Sequence, residues 1–93
     1  MEIEDFAFDD RNIDKFAAHG LTDRQVRQVL GNSYLVLKNR KTGSAPFLVI
    51  GRDNGGRRIA VPVMPTDEPG VWRPVTAWPC KEAENIILGR RGR

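Results

Sequence analysis

The chain has 93 residues, 40% of them hydrophobic and 29% charged, which is enough for one small domain with a single modest core. No apolar run approaches the roughly 18 residues of a membrane-spanning helix. The acidic first ten residues also lack a basic leader and an apolar signal core. The lone Cys80 excludes an internal disulfide and has no metal-ligating neighbours at useful spacing. We therefore expect a soluble cytoplasmic domain that uses neither a metal nor a cofactor.

The amino-terminal part predicts a short strand and a helix. Residues 3–8 alternate apolar and polar side chains, which indicates an edge strand. Asp9 or Asp10 is a suitable N-cap for a helix over about 10–18, and Gly20 is suited to end it. The apolar stripe of this helix comprises Ile13, Phe16 and Ala17.

A second helix and a strand are predicted next. Thr22 and Gln25 have the spacing of a capping box, so a helix is expected over about 23–30. Its inward residues are Val26, Val29 and Leu30. The extended pattern of residues 34–38 then predicts a strand, and the composition of residues 41–44 indicates a turn.

Residues 46–64 carry the strongest signal in the chain, that of a β-hairpin. Two runs rich in β-branched residues flank Asn54-Gly55, a pair that tolerates the positive φ angles of a type I′ turn. Because Leu48, Ile50 and Arg52 alternate along the first strand, Arg52 is expected on an apolar face, at the sheet margin.

The carboxyl-terminal third predicts a strand over 71–78 and a helix over 80–88, followed by a frayed basic tail at 89–93. Pro62 and Pro74 require an edge or a bulge, since proline cannot donate to a strand ladder. The apolar stripe of the last helix comprises Ala83, Ile86 and Ile87.

These elements predict one α+β domain over residues 1–93. Their order is β-α-α-β-β-β-β-α, with two amino-terminal helices and a carboxyl-terminal helix packed on one side of a mainly antiparallel sheet of four to five strands.

Positive charge is concentrated in the middle of the chain. The first ten residues contain five acidic and no basic side chains, although the whole chain has a net charge of +3. The central cations are Lys38, Arg40, Lys41, Arg52, Arg57 and Arg58, with only Asp53 opposing them. Such a stretch indicates a surface for phosphates or an acidic partner. A solvated sheet edge protected by charge is the alternative.

Familiar catalytic motifs are absent from the sequence: it has no phosphate loop, no dinucleotide fingerprint, no zinc-protease motif and no nucleophile elbow. An enzyme built from arginines, lysines and one histidine suits phosphate-ester chemistry on RNA, where the 2′-hydroxyl is the nucleophile.

Several motifs together resemble a known family. They are Phe8-Asp9-Asp10, Asn12-Ile13, His19-Gly20-Leu21-Thr22, Val26, Val29-Leu30, Leu48-Val49-Ile50-Gly51-Arg52, Gly56-Arg57 and Arg73-Pro74-Val75-Thr76-Ala77. In this order they resemble the BrnT-like toxins of type II toxin–antitoxin pairs, which belong to the RelE/ParE superfamily. The resemblance runs from about residue 6 to residue 88. It implies a RelE-like fold and a metal-independent endoribonuclease, held inactive in a complex with an antitoxin, a small DNA-binding protein encoded beside it.

The resemblance also implies a catalytic set. Arg52 and Arg73 would stabilise charge on the scissile phosphate, and His19 would transfer a proton. Structural alternatives stay open for each of them: a surface ion pair for Arg52, cover of the apolar sheet by the stem of Arg73, and a helix-terminal cap for His19.

One position departs from the family pattern. Trp78 stands where the related toxins have an arginine, and an indole cannot replace a guanidinium electrostatically, although it can stack on a base. Trp72 and Trp78 are expected on one strand face, as core or as a stacking platform. The expected RNA- or partner-binding residues are Lys38, Arg40, Lys41, Arg57, Arg58 and Trp78. A non-catalytic RNA-binding module and a basic adaptor for an acidic protein therefore remain alternatives.

Overall fold

The computed structural model describes residues 2–39 and 45–91 and has an α+β architecture, as predicted. Its elements are β1 (Asp5–Phe6), α1 (Asp10–Ala18), α2 (Asp23–Gly31), β2 (Tyr34–Lys38), β3 (Phe47–Arg52), β4 (Arg58–Pro65), β5 (Val71–Pro74), β6 (Trp78–Pro79) and α3 (Glu82–Arg91). The predicted turn at 41–44 lies outside the described residues, and so do Arg40 and Lys41. Within the described ranges no helix has the length and apolar character needed to cross a membrane.

The strands of the described residues form one mixed sheet of six strands. Its order is β1-β5-β4-β3-β2, and β6 pairs with β4 beyond the end of β5. All pairings are antiparallel except that of β1 with β5, which is parallel. The short β1 lies at an edge as predicted, whereas the strand count exceeds the expected four to five.

Both predicted amino-terminal helices are present with their caps. Asp9 accepts from the Asn12 amide at 2.8 Å, and Asn12 Oδ1 accepts in return from the Asp9 amide at 3.0 Å. Thr22 and Gln25 form the second capping box in the same way. Asn12 is fully buried, and its Nδ2 donates to the carbonyls of Ala7 and Pro74, both at 3.0 Å. These bonds hold the start of α1 against Ala7, which precedes the helix, and against Pro74 at the end of β5.

One face of the sheet packs against α1 and α2. Phe16, Val26 and Val29 are fully buried there, which confirms the inward positions predicted for them. Ala17 is exposed, so its predicted place on the inward stripe is wrong. The buried stripe of α1 runs through Asn12 and Phe16 instead, because Asn12 satisfies its polar groups by bonding to the main chain.

The other face packs against α3, which corrects the expectation that all helices lie on one side. Leu88 is fully buried there with Ile50 and Ala60, and these three residues form a second core. Ala83 is exposed and Ile86 is 49% exposed, so their predicted places on the stripe of α3 are wrong, whereas Ile87 packs against this core as predicted. The helix also begins two residues later than expected and continues to Arg91 in place of a frayed tail. Two helical layers are required because β3 is apolar on both faces.

The predicted hairpin is present, but its turn is not type I′. Five residues, 53–57, separate the paired Arg52 and Arg58, and Gly56 is the only one of the five with a positive φ, at 85°. Asn54 therefore does not adopt the backbone conformation that a type I′ turn requires. The Asp53 carbonyl accepts from the Gly56 amide at 3.1 Å, and the Asp53 side chain caps the rest of the loop.

The predicted strand over 71–78 is interrupted by a β-bulge. Pro74 pairs with Val63 and Trp78 pairs with Ala60, so one side has one residue more than the other between these pairs. Pro62 lies opposite the bulge, as expected for a proline, and its carbonyl accepts from the Val75 amide at 2.9 Å. The extra residue places the two indoles on opposite faces, so the prediction of a shared face is wrong.

The two layers predict a contrast within α3. Leu88→Ala should lower the free energy of unfolding by about 2–5 kcal/mol, because it removes a fully buried side chain from a small core. Ile86→Ala, two residues away on the exposed side, should stay within about 0.5 kcal/mol of the wild type. Urea denaturation of both variants measures the difference. Equal losses would contradict the packing of α3 through Leu88.

Candidate nucleic-acid interface

The sequence-predicted cations lie at two opposite ends of the sheet. Arg58 and Arg52 pair at the start of β4, whereas Arg73 pairs with Met64, six residues further along the same strand. At the rise of an extended strand this separation is about 20 Å. Lys38 is exposed and pairs with Phe47, at the end of β3 remote from Arg52. The central run of charge in the sequence therefore does not form one surface.

The hairpin cluster, which comprises Arg52, Arg57 and Arg58, lies at the first of these ends. Arg57 and Arg58 are exposed, and neither has an ion-pair partner among the residues that the structure describes. Arg52 is half-buried on the face of Ile50, so its predicted position at the sheet margin is confirmed. Three guanidinium groups are thus concentrated around one loop.

Asp53 organises this loop from inside. Its side chain is buried, and Oδ1 accepts from the amides of Gly55 at 2.9 Å and Arg57 at 2.8 Å. Its Oδ2 accepts from Gln25 Nε2 at 3.2 Å. In the sequence Asp53 stands out as a charge opposing the cations, although an aspartate two residues before a glycine is also a signal for such an Asx turn.

Gln28 of α2 and Asn32, the C-cap residue of this helix, also hold the loop in place. Gln28 Oε1 accepts from the Asn54 amide at 3.0 Å. Asn32 Nδ2 donates to the Arg52 carbonyl at 2.9 Å and to Asn54 Oδ1 at 3.2 Å. Because each bond joins residues at least 20 positions apart, sequence patterns did not show them. The hairpin cluster is consequently carried on a loop that α2 holds in place.

A depression of about 380 Å³ lies at the other end of the sheet. Its lining residues are Asp9, Arg11, Lys15, Met64, Arg73 and Val75, so three cations face one carboxylate. We refer to it as the α1 depression. Sequence reasoning identified Arg73 alone, although the spacing of Arg11 and Lys15 at i and i+4 places them on one side of α1.

Arg73 is held at the wall of this depression by an ion pair. Its Nε donates to Asp9 Oδ2 at 2.9 Å, and its side chain retains 31% exposure. The backbone hydrogen bond from Asn12, together with the Arg73 guanidinium, lowers the pKa of Asp9 below its ordinary value of 3.8. Asp9 is therefore ionised at neutral pH, and it serves both as the N-cap of α1 and as the partner of Arg73.

His19 is not among the residues that line the α1 depression, and it lies at the opposite end of α1 from Asp9. It is the C-cap residue of α1, is exposed, and donates its backbone amide to the Phe16 carbonyl at 2.9 Å. Ten residues separate it from Asp9, which corresponds to about 15 Å along a helix. The structure therefore places His19, Arg52 and Arg73 at three different sites.

Trp78 links β6 to the start of α3. Its Nε1 donates to Glu84 Oε1 at 3.1 Å, and Lys81 Nζ lies 5.3 Å from the centroid of its ring. Glu84 also accepts from the Lys81 amide at 2.8 Å, as in half of a capping box. The indole is half-buried in the second core, next to Cys80. Burial, reinforced by Glu84, raises the pKa of the Cys80 thiol to about 11 against the opposing charges of the hairpin cluster, so the thiol is protonated at neutral pH.

Comparison with known proteins finds no family model and no curated protein that matches this chain. Within residues 2–39 and 45–91, no three or more histidine, cysteine, aspartate or glutamate side chains are grouped so as to hold a metal ion. The chemistry that the described side chains offer is the binding of anionic groups at the hairpin cluster and in the α1 depression.

The bonds made by Asp53 predict a measurable loss of stability. Asp53→Ala leaves the Gly55 and Arg57 amides and the Gln25 amide without their acceptor, and should lower the free energy of unfolding by about 1–3 kcal/mol. Asp67→Ala, in the exposed loop before β5, is the matched control and should change it by less than about 0.5 kcal/mol. Thermal or urea unfolding tests both. Similar behaviour of the two variants would show that the loop is not held through Asp53.

The Asp9–Arg73 pair predicts a pH dependence. Because folding depresses the pKa of Asp9 below 3.8, its contribution to stability is fully present above that pH and is lost as the pH falls through the folded value. Asp9→Asn keeps an N-cap acceptor but loses the charge. The wild type should therefore be the more stable protein at pH 7, and the difference should shrink below about pH 4. A gap that stays constant down to pH 2 in urea titrations would contradict the ion pair.

Proposed function

We propose that this chain is the toxin component of a type II toxin–antitoxin pair and acts on RNA as a RelE-type endoribonuclease. The resemblance of residues 6–88 to BrnT-like toxins motivates this function. The observation that carries it is the hairpin cluster, whose exposed Arg57 and Arg58 have no ion-pair partner among the described residues and stand on a loop fastened to α2. Exposed guanidinium groups carried on a backbone that is held in place suit a phosphate backbone.

In this proposal the α1 depression holds the scissile phosphate. The 2′-hydroxyl of the RNA gives its proton to solvent and attacks the adjacent phosphorus, forming a 2′,3′-cyclic phosphate. The P–O5′ bond breaks, and the 5′-oxygen leaves as a hydroxyl after taking a proton from solvent. Negative charge increases on the non-bridging oxygens during this step. Arg73, Arg11 and Lys15 surround the space where these oxygens would lie. Asp9 fixes the Arg73 guanidinium through Nε and leaves its terminal nitrogens for the phosphate. Arg52, about 20 Å away, then binds RNA without contacting the reacting phosphate.

The proton-transfer role expected for His19 does not fit this arrangement. A side chain about 15 Å along α1 from Asp9 cannot donate to a phosphate held at Arg73. In the proposal His19 keeps its structural part, as the C-cap at the end of α1. The cognate antitoxin, a small protein encoded nearby, would inhibit by covering one of the cationic surfaces with acidic side chains.

A non-catalytic module that binds RNA or an acidic protein is the second candidate. It is favoured by Trp78, which replaces the arginine of the related toxins and donates its N–H to Glu84. If that arginine is indispensable for cleavage, the chain binds without cutting. The two functions share the hairpin cluster and differ in what happens to the bound RNA.

Expression of the chain without an antitoxin tests the proposal. The wild type should arrest growth, and RNA incubated with the purified protein in EDTA should show new ends. Arg73→Ala should reduce cleavage by about 10²–10³-fold, because one charge-stabilising donor is lost. Arg24→Ala, an exposed arginine of α2, is the matched control and should cleave like the wild type.

Normal growth with intact RNA would contradict the nuclease. Trp78→Arg then separates the candidates, because restored cleavage would show that this one substitution silences a complete site. Continued binding without cleavage would support the RNA-binding module. Salt-sensitive binding to an acidic protein with no affinity for RNA would support the adaptor.

A further inference from the structure

The hairpin cluster and Arg73, which lines the α1 depression, lie on the same face of the sheet. Along β4, Arg58, Ala60 and Met64 point to the side of the sheet that α3 covers in part. Arg52 pairs with Arg58, and Arg73 pairs with Met64, so both arginines share that side. A ligand lying along β4 on this face would meet cations at each end.

Between the two ends, the face is only partly covered. The helix α3 packs on β2 and β3, where Leu88 contacts the second core. The flank formed by the bulge and β6 carries Val75, Thr76 and Trp78, all half-buried. Trp78 pairs with Ala60, two residues along β4 from Arg58, so an aromatic ring lies between the cationic ends.

Two carboxylates on this flank are already engaged. Asp9 binds Arg73 at 2.9 Å, and Glu84 accepts from the Trp78 indole and the Lys81 amide. Arg57, Arg58, Arg11 and Lys15 have no ion-pair partner among the described residues, so their charges remain for a ligand. Cations without an ion-pair partner among the described residues are therefore present at both ends.

We propose that one single strand of RNA binds both ends at once, with a phosphate in the α1 depression and another at the hairpin cluster. The inference rests on the proposed function and adds the length of its substrate. A span of about 20 Å corresponds to about six stacked nucleotides at 3.4 Å each. Binding at one end raises the effective concentration of the strand at the other, so affinity increases steeply once the strand reaches both.

Oligoadenylates of about three and about eight nucleotides, which stack as single strands, test this span by fluorescence anisotropy. The longer strand should bind the wild type about 10²-fold more tightly. Two double variants are compared, Arg57→Glu with Arg58→Glu and Arg11→Glu with Lys15→Glu. In each of them the affinity ratio between the longer and the shorter strand should fall to at most about tenfold. That remainder is the statistical gain from the several registers in which a longer strand binds one end. Arg24→Glu on α2 is the matched control and should keep the full ratio.

A second measurement uses the wild type alone and does not depend on the folding of any variant. The salt dependence of binding should be steeper for the longer strand, by about 0.7 in the logarithmic slope for each added phosphate contact. Equal slopes and an unchanged length ratio in every protein would overturn the two-ended site while leaving RNA binding intact. Absence of binding at any length would overturn the proposed function as well.

Discussion

The architecture depends on β4 being apolar on both faces. Ile59, Val61 and Val63 are fully buried against α1 and α2, and Ala60 is fully buried on the opposite face. A strand of this kind has to be covered from both sides, and each large side chain removed from water contributes roughly 1.5–3 kcal/mol. Charged groups are costly in such a centre, so the cations of β3, β4 and β5 occur where the strands meet solvent. The separation of the candidate site into two ends follows from this constraint.

Local features were predictable because their partners lie within four residues. The caps of α1 and α2 depend on such contacts, and both an acidic N-cap of α1 and the capping box of α2 follow from the sequence. The side of the sheet on which α3 packs depends on Ile50 and Ala60, which are at least 28 positions from Leu88, and no helical periodicity encodes it. The prediction of a type I′ turn was wrong because long-range contacts again decide the outcome. Asp53 and the side chains of α2 stabilise a longer loop than Asn54-Gly55 alone favours.

Cations that are neighbours in the sequence are not all neighbours in the structure. Lys38 and Arg58 belong to one basic stretch, yet strand register places them at opposite ends of the hairpin. Arg11 and Arg73 are 62 positions apart, and they share a depression because Asp9 caps α1 and also binds Arg73. The individual residues Arg52, Arg57, Arg58 and Arg73 were identified from sequence, but their grouping needed the register and one long-range ion pair.

The bulge between β5 and β6 decides what lies between the two cationic ends. In a regular strand without the bulge, Trp78 would lie on the same face as Trp72, within the core beneath α1 and α2. With the bulge, Trp78 lies beside Ala60 on the opposite face, and its indole donates to Glu84. This hydrogen bond fixes the ring, and it engages one carboxylate that would otherwise repel a phosphate. In the proposed two-ended site, a single strand held at both ends would pass this ring, which offers a surface for one of its bases.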